Sequence, residues 1–290
     1  MSSEVTTPAG QNVLGGMLRF MRVRKIAFVI LLIAAVSGCD SLATLNTLKT
    51  VYQLSRPVEH LVPRVLSTRP HDPTAFTEGL FLDGGHLYES TGRYGQSTMR
   101  EVDPATGAVL HSVSLPAADF GEGIALVGSH LLQLTWREGL GFVYDKNSFA
   151  LLGTFPYTDE GWGMCYDGDH LYTSDGSAQI TERDAETLAP LTQLNVSLDA
   201  QPVQQINELE CVGDSIYANV WHTDHILRID KSSGRVTALI DASGLITPEQ
   251  RSTLDPEAVL NGIAYDADTN TFLVTGKLWP WMFEVQFVAP

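Results

Sequence analysis

Along most of the chain, apolar residues come in short alternating runs broken by Gly, Asp or Asn, a period of two that predicts β-strands joined by tight turns. One unit recurs. It reads EGLFLDGGHLYESTG from Glu78, EGIALVGSHLLQLTW from Glu122, WGMCYDGDHLYTSDG from Trp162, NELECVGDSIYANVW from Asn207 and NGIAYDADTNTFLVTGK from Asn261. With Tyr88, Leu132, Tyr172, Tyr217 and Leu273 as equivalent anchors, the periods are 44, 40, 45 and 56 residues. Each unit is a strand, a turn and a second strand, a β-hairpin. After four of the hairpins comes a third strand ending in Asp, at Asp103, Asp145, Asp184 and Asp230. A turn such as Pro104-Ala105-Thr106-Gly107 and a fourth strand then follow. Four antiparallel strands repeating roughly every 45 residues predict an all-β fold, a five-bladed β-propeller. A β-sandwich would not repeat in register.

The last repeat stops at Met282-Phe283-Glu284-Val285, after its third strand. The spare strand-like segment Arg64-Val65-Leu66-Ser67-Thr68, ahead of the first repeat, is expected to supply the missing fourth strand. That closes the ring and leaves no edge between first and last blades. Upstream, Met21-Arg22-Val23-Arg24-Lys25 is a basic n-region, and Ile26 to Val36 is an apolar run too short to span a bilayer. It ends in Val36-Ser37-Gly38-Cys39, which resembles a bacterial lipobox with Cys39 as the lipidated residue. The expected organisation is a lipoprotein signal over residues 1–38, with translation starting at Met1, Met17 or Met21. A tether follows over 39–62 and a propeller over 63–290. The protein is expected to be anchored by lipid and to face the periplasm, and Asp40 weakly favours the inner membrane.

Charge narrows the partners. The chain carries 18 basic and 34 acidic residues; losing residues 1–38 leaves 14 against 33, a net charge of −19. Such a surface repels nucleic acid and anionic lipid, so neither is a partner, membrane contact being through the anchor alone. A monomer is expected.

The repeat register shows which residues are equivalent around the axis. Glu78, Glu122, Trp162 and Asn207 stand ten residues before their anchors, with Asn261 in the same place after a longer turn. Gly92, Trp136, Gly176, Trp221 and Lys277 stand four residues after. The start of one hairpin strand and the end of its partner lie at the same end of a blade, so both rings crowd one mouth. Carboxylates, carboxamides, tryptophans and a lysine converging there predict an apolar-walled pocket with a few polar groups, suited to a small group on a peptide. For Asn261, blade-to-blade hydrogen bonding explains the residue equally well.

The segments HDPTAFTEGL, YESTGRYGQS, FGEGI, GWGMCYDG, INELECV, NVWHTD and LNGIAYD with VTGKLWP resemble the plant and bacterial type of glutaminyl-peptide cyclotransferase. The resemblance runs from about Val65 to Val285 and implies a five-bladed propeller that converts N-terminal glutamine of peptides and proteins to pyroglutamate. Carried over position by position, it makes Glu122, in Phe120-Gly121-Glu122-Gly123, the catalytic glutamate. It assigns Phe76, Phe120, Trp136, Trp162, Asn207, Trp221 and Lys277 to the pocket. One position departs: the Phe-Thr-Gln-Gly of plant members reads Phe76-Thr77-Glu78-Gly79, a carboxylate in place of a carboxamide. Glu78 is therefore expected to bind the substrate ammonium.

Cyclisation needs a neutral α-amine aimed at the γ-carboxamide carbon, and a proton for the departing ammonia. One carboxylate, Glu122, can shuttle that proton, while a pocket that folds the side chain back supplies rate by orientation. Lys277 or Asn207 would stabilise the oxyanion, and the tryptophans would exclude water. If Glu78 lies near Glu122, their titrations couple and one pKa rises. No cofactor is required, and no HxH or HExxH pattern suggests a metal; the resemblance allows a structural calcium in the central channel, held by channel-facing oxygens. Two other classes fit the pattern: a non-catalytic propeller that captures peptide N-termini, which needs no proton shuttle, and a calcium-dependent propeller lactonase, which EDTA would silence. Cys165 lies seven residues before its anchor and Cys211 six, so strand alternation turns them to opposite faces of their blades and predicts two free thiols. A one-residue shift in the third turn would restore a match.

Overall fold

A computed structural model describes residues 57–290. Cys39, the apolar run before it and most of the expected tether lie outside them. The first strand, β1 (Glu59–Pro70), begins four residues ahead of the domain boundary read from the sequence. It is followed by three four-stranded antiparallel sheets: β2 (Thr77–Asp83) to β5 (Val109–Ser114), β6 (Gly121–Val127) to β9 (Leu151–Pro156), and β10 (Met164–Tyr166) to β13 (Pro190–Asn195). Within these stand β3 (His86–Thr91), β4 (Thr98–Val102), β7 (His130–Thr135), β8 (Leu140–Asp145), β11 (His170–Ser174) and β12 (Gln179–Asp184). A short hairpin, β14 (Ser197–Leu198) with β15 (Gln201–Pro202), leads to the rest. There β16 (Ile206–Val212), β17 (Ser215–Val220), β18 (His225–Asp230) and β19 (Val236–Asp241) form four successive strands. They join β1 and then β22 (Trp281–Val288), β21 (Thr271–Gly276) and β20 (Leu260–Asp266), making one eight-stranded sheet. As the unfinished last repeat requires, β1 runs antiparallel beside β22; it also touches β19 in parallel through Glu59 to Leu61.

The Asp that closes each third strand has a local cause. Asp103 accepts from the Ala105 and Thr106 N–H groups, Asp145 from Asn147 and Ser148, and Asp184 from Glu186 and Thr187. These are Asx turns, which reverse the chain before the fourth strand. The inner strands β2, β6, β10, β16 and β20 pack each against the next, and β20 against β2. Their contact is tight because a glycine begins it: a Cβ on Gly123 would come within 2.4 Å of the Met164 backbone nitrogen. Apolar clusters fill the gaps between neighbouring sheets, as where Ile124, Leu131 and Phe142 meet Phe81 and Tyr88.

The expectation of free thiols is overturned. Cys165 and Cys211 form a disulfide, with Cα atoms 5.5 Å apart. The register behind that expectation is correct: Cys165 stands opposite the anchor Tyr172, whereas Cys211 stands opposite Ile216, one short of Tyr217. The error lies in the geometry drawn from it. Neighbouring sheets stack front to back, so a side chain on the forward face of one meets a side chain on the rear face of the next. Glu210, beside Cys211, marks the other face, accepting at 2.7 Å from the Tyr265 N–H of the following repeat. With a sequence separation of 46, loop entropy makes such a bridge worth about 4 kcal/mol. Cys211→Ser is thus expected to lower Tm by roughly 10 °C. Alkylation of denatured, unreduced protein should leave both positions unlabelled, and labels on both would refute the bridge.

Candidate active site

The ladder between the first two strands breaks at the same place in four repeats: between Thr77 and Gly79, Gly121 and Ile124, Ile206 and Leu209, and Leu260 and Ile263. A bulge leaves its residues unpaired and re-aims their side chains. Glu78, Glu122 and Asn207 sit in three of these bulges, and all three side chains line one cavity of about 310 Å³. The other walls are Phe76, Phe120, Trp136, Trp162, Trp221 and Lys277, so every pocket residue read from the sequence converges there. Asn261, in the fourth bulge, is not among the lining residues; its Nδ2 donates to the Thr77 carbonyl at 2.9 Å and ties two inner strands.

At the floor, Lys277 Nζ donates to Glu78 Oε1 at 2.7 Å and Oε2 at 2.6 Å, with both side chains almost wholly buried. The Glu122 carboxyl lies in the same pocket and interacts with Glu78. Two interacting buried carboxyl groups repel when both are charged, which raises the pKa of one of them. Burial first, then the negative charge of Glu78, pushes Glu122 well above the usual carboxylate range. Burial also raises Glu78, but Lys277 opposes it. Of the two carboxyls, Glu122 is thus the one driven toward the neutral acid, and Glu78 the one paired with Lys277. The charge of Glu78 is already met by a lysine of the protein.

The aromatic wall is braced from behind. Glu160 Oε2 accepts from Trp136 Nε1 at 2.9 Å and from Trp162 Nε1 at 3.2 Å, while Arg137 bonds Oε1 and lies 3.6 Å over the Trp136 ring. Trp162 meets Trp221 edge-on, centroids 5.4 Å apart, and Phe120 bridges Phe76 and Trp136. A Cβ on Gly92 would fall 2.3 Å from the Phe120 ring, which is why that ring position carries glycine. Asn207 Oδ1 is buried in the cavity wall and finds no partner in the protein. An orphaned acceptor costs about 1–3 kcal/mol, a cost that a donor on a ligand would remove.

Behind the floor lies a second ionic cluster. Glu89 accepts from His71 Nε2 at 2.9 Å, Thr77 Oγ1 at 2.7 Å and Arg100 Nη2 at 2.7 Å; His71 Nδ1 reaches the Trp279 carbonyl at 2.6 Å. Burial would raise Glu89, yet His71 and Arg100 hold its carboxyl down to about 2. His71 faces an acceptor at each ring nitrogen, so it is an imidazolium. Thr77 adjoins Glu78 and Trp279 follows Lys277 by two residues, so the cluster fixes the backbone on both sides of the Lys277–Glu78 ion pair.

Among the described residues no three His, Cys, Asp or Glu side chains group to hold a metal. Glu208 stands between the inner strands, and its two oxygens already accept from the Leu80 and Ile263 N–H groups. Burial, and then Glu210, push its carboxyl well up, toward the neutral acid.

Arg93 and Glu257, which sequence reasoning missed, complete the cavity lining. The pocket is apolar-walled and holds two interacting carboxyl groups, a lysine and an orphaned acceptor, an arrangement suited to a small polar group. Comparison with known proteins gives the family. The family model described as glutamine cyclotransferase matches residues 32–287. A glutaminyl-peptide cyclotransferase of Arabidopsis thaliana is 38% identical over 224 residues, 77% of this chain and 70% of that one. The crystal structure of Myxococcus xanthus glutaminyl cyclase matches with a TM-score of 0.74 at 39% identity, covering 80% of this chain and 98% of that one. The chain belongs to the glutamine cyclotransferase family.

Proposed function

We propose that this protein is a glutaminyl-peptide cyclotransferase built as a five-bladed β-propeller, acting on peptides and proteins with N-terminal glutamine. The observation that carries the activity is the convergence of Glu122, Glu78 and its partner Lys277 in one aromatic-walled pocket, at positions the family resemblance assigns to the site. The ring of inner strands, with β1 beside β22, supports five blades. A pure binding module has no use for a buried acid of raised pKa, which is why catalysis is favoured.

In this mechanism the glutamine side chain lies against Trp162 and Trp221, and Asn207 Oδ1 accepts a hydrogen bond from its carboxamide. Held folded back, the neutral α-amine attacks the γ-carbon, and Lys277 stabilises the charge that develops on oxygen. The carboxyl pair then takes the proton from the attacking nitrogen as Glu122 delivers its own to the leaving one. A C–N bond forms, a C–N bond breaks, and ammonia departs with no net gain or loss of protons by the enzyme. An ammonia-release assay tests this: a peptide beginning with glutamine should react, and its N-acetylated form, whose nitrogen cannot attack, should not.

The pH profile follows from the same pair. Rate should rise as the substrate amine, near pKa 7.7, loses its proton, and fall when Glu122 loses its own. In Glu78→Gln the repulsion that lifts Glu122 is gone, so the alkaline limb should move to lower pH. A limb that stays in place would separate Glu78 from the titration of Glu122.

The lipobox supports a lipid-anchored, periplasm-facing enzyme. Cys39→Ser is expected to release the protein into the soluble fraction with activity retained, and wild type that is itself soluble and unlipidated would contradict the anchor.

A further inference from the structure

The floor and the lip of the cavity are held by different charges. Lys277 and Glu78 form the inner ion pair. At the lip, Arg93 Nη2 and Glu257 Oε2 form a second, 2.7 Å apart, and both residues line the cavity. The two pairs share one ring: Lys277 Nζ lies 4.6 Å and the Arg93 guanidinium 4.5 Å from the centroid of Phe76. Each cation has its own carboxylate, so the inner pair is complete without the outer one. The outer pair needs a separate reason.

Arg93 is costly where it stands. Its φ is +88°, a conformation that costs a non-glycine residue about 1–3 kcal/mol, in a turn already furnished with Gly92 and Gly95. Its carbonyl accepts from the Gln96 N–H and the Ser97 hydroxyl, both at 2.9 Å, which fixes the turn and so the direction in which the side chain leaves. A guanidinium has five N–H donors. Glu257 engages one nitrogen, and the Arg93 side chain keeps 35% of its surface exposed. The result is a braced cation at the lip with donors to spare.

A substrate whose glutamine side chain and amine occupy the floor sends its remaining chain out past that lip. What it offers there is a row of main-chain carbonyl oxygens. We propose that Arg93, braced by Glu257, binds the main-chain carbonyls beyond the N-terminal glutamine, so that the enzyme prefers peptides to glutamine standing alone. The inference rests on the cyclase reading and adds to it the part of the substrate that the floor does not touch.

The test compares kcat/KM for the amide of Gln-Ala-Ala with that for glutaminamide, in wild type and in Arg93→Gly. Glycine suits the positive φ, so the side chain is removed without straining the turn. A hydrogen bond to a charged group is worth about tenfold or more, so the tripeptide-to-glutaminamide ratio should fall about tenfold. In Glu257→Gln, where the guanidinium stays but loses its brace, the same ratio should fall by about threefold. A ratio in Arg93→Gly within about twofold of wild type would overturn the proposal. Wild-type protein that releases ammonia from neither substrate would overturn the cyclase reading, and this inference with it.

Discussion

Glu122→Gln is expected to lower kcat by about a hundredfold or more, the usual worth of a positioned acid–base group, while leaving the fold intact. Glutamine has nearly the same shape and can donate a hydrogen bond to Glu78, so the floor keeps its packing. Because burial and Glu78 already drive Glu122 toward the neutral acid, a neutral amide in its place creates no unpaired buried charge. What the amide cannot do is give up a proton to the leaving nitrogen. KM should change little, since the tryptophans and Asn207 still hold the side chain. Turnover near wild type, in a variant whose Tm is unchanged, would remove Glu122 from the mechanism.

Lys277→Met should be damaging in two ways that can be separated. Among the described residues Lys277 is the one cation bonded to Glu78, and both side chains are nearly fully buried. Removing one partner of such a pair typically costs about 3–5 kcal/mol if the other stays charged. Glu78 escapes part of that by taking up a proton, which raises its folded pKa further above its unfolded value. A carboxyl raised in this way is most favourable to the fold below its unfolded pKa, and its contribution is lost as pH rises. The Tm deficit of Lys277→Met relative to wild type should therefore widen from pH 5 to pH 8. Activity should fall about a hundredfold or more at every pH, because the oxyanion loses its cation. Lys277→Met combined with Glu78→Gln should recover most of the stability and none of the activity. A Tm deficit that narrows as pH rises would contradict the charge assignment.

Much of this site was legible in the sequence because the fold repeats. Glu78, Glu122 and Asn207 hold the same place in their hairpins, and a mouth built from equivalent positions can be found by counting from Tyr88, Leu132 and Tyr217. The bulges that aim these side chains were not foreseen, but they recur with the repeat and so leave the count intact. Residues that join the site from outside the repeat were missed. Glu160 precedes the third hairpin, and Glu257 comes from the insertion that stretches the last period to 56 residues, an irregularity that could have marked it. Arg93 could have been noticed as the one bulky charge between Gly92 and Gly95. The disulfide failed for a different reason: the facing of Cys165 and Cys211 was correctly read within each sheet, but how one sheet stacks on the next is a property of the assembled ring.

The central claim is most directly tested by mass spectrometry of a glutamine-initiated peptide incubated with the purified protein, beside the same peptide N-acetylated. The account predicts that the free peptide loses one ammonia at its N-terminus while the acetylated one is unchanged. Loss of ammonia from the acetylated peptide would mean side-chain deamidation in place of cyclisation, and an unchanged free peptide would mean that this pocket binds glutamine without transforming it.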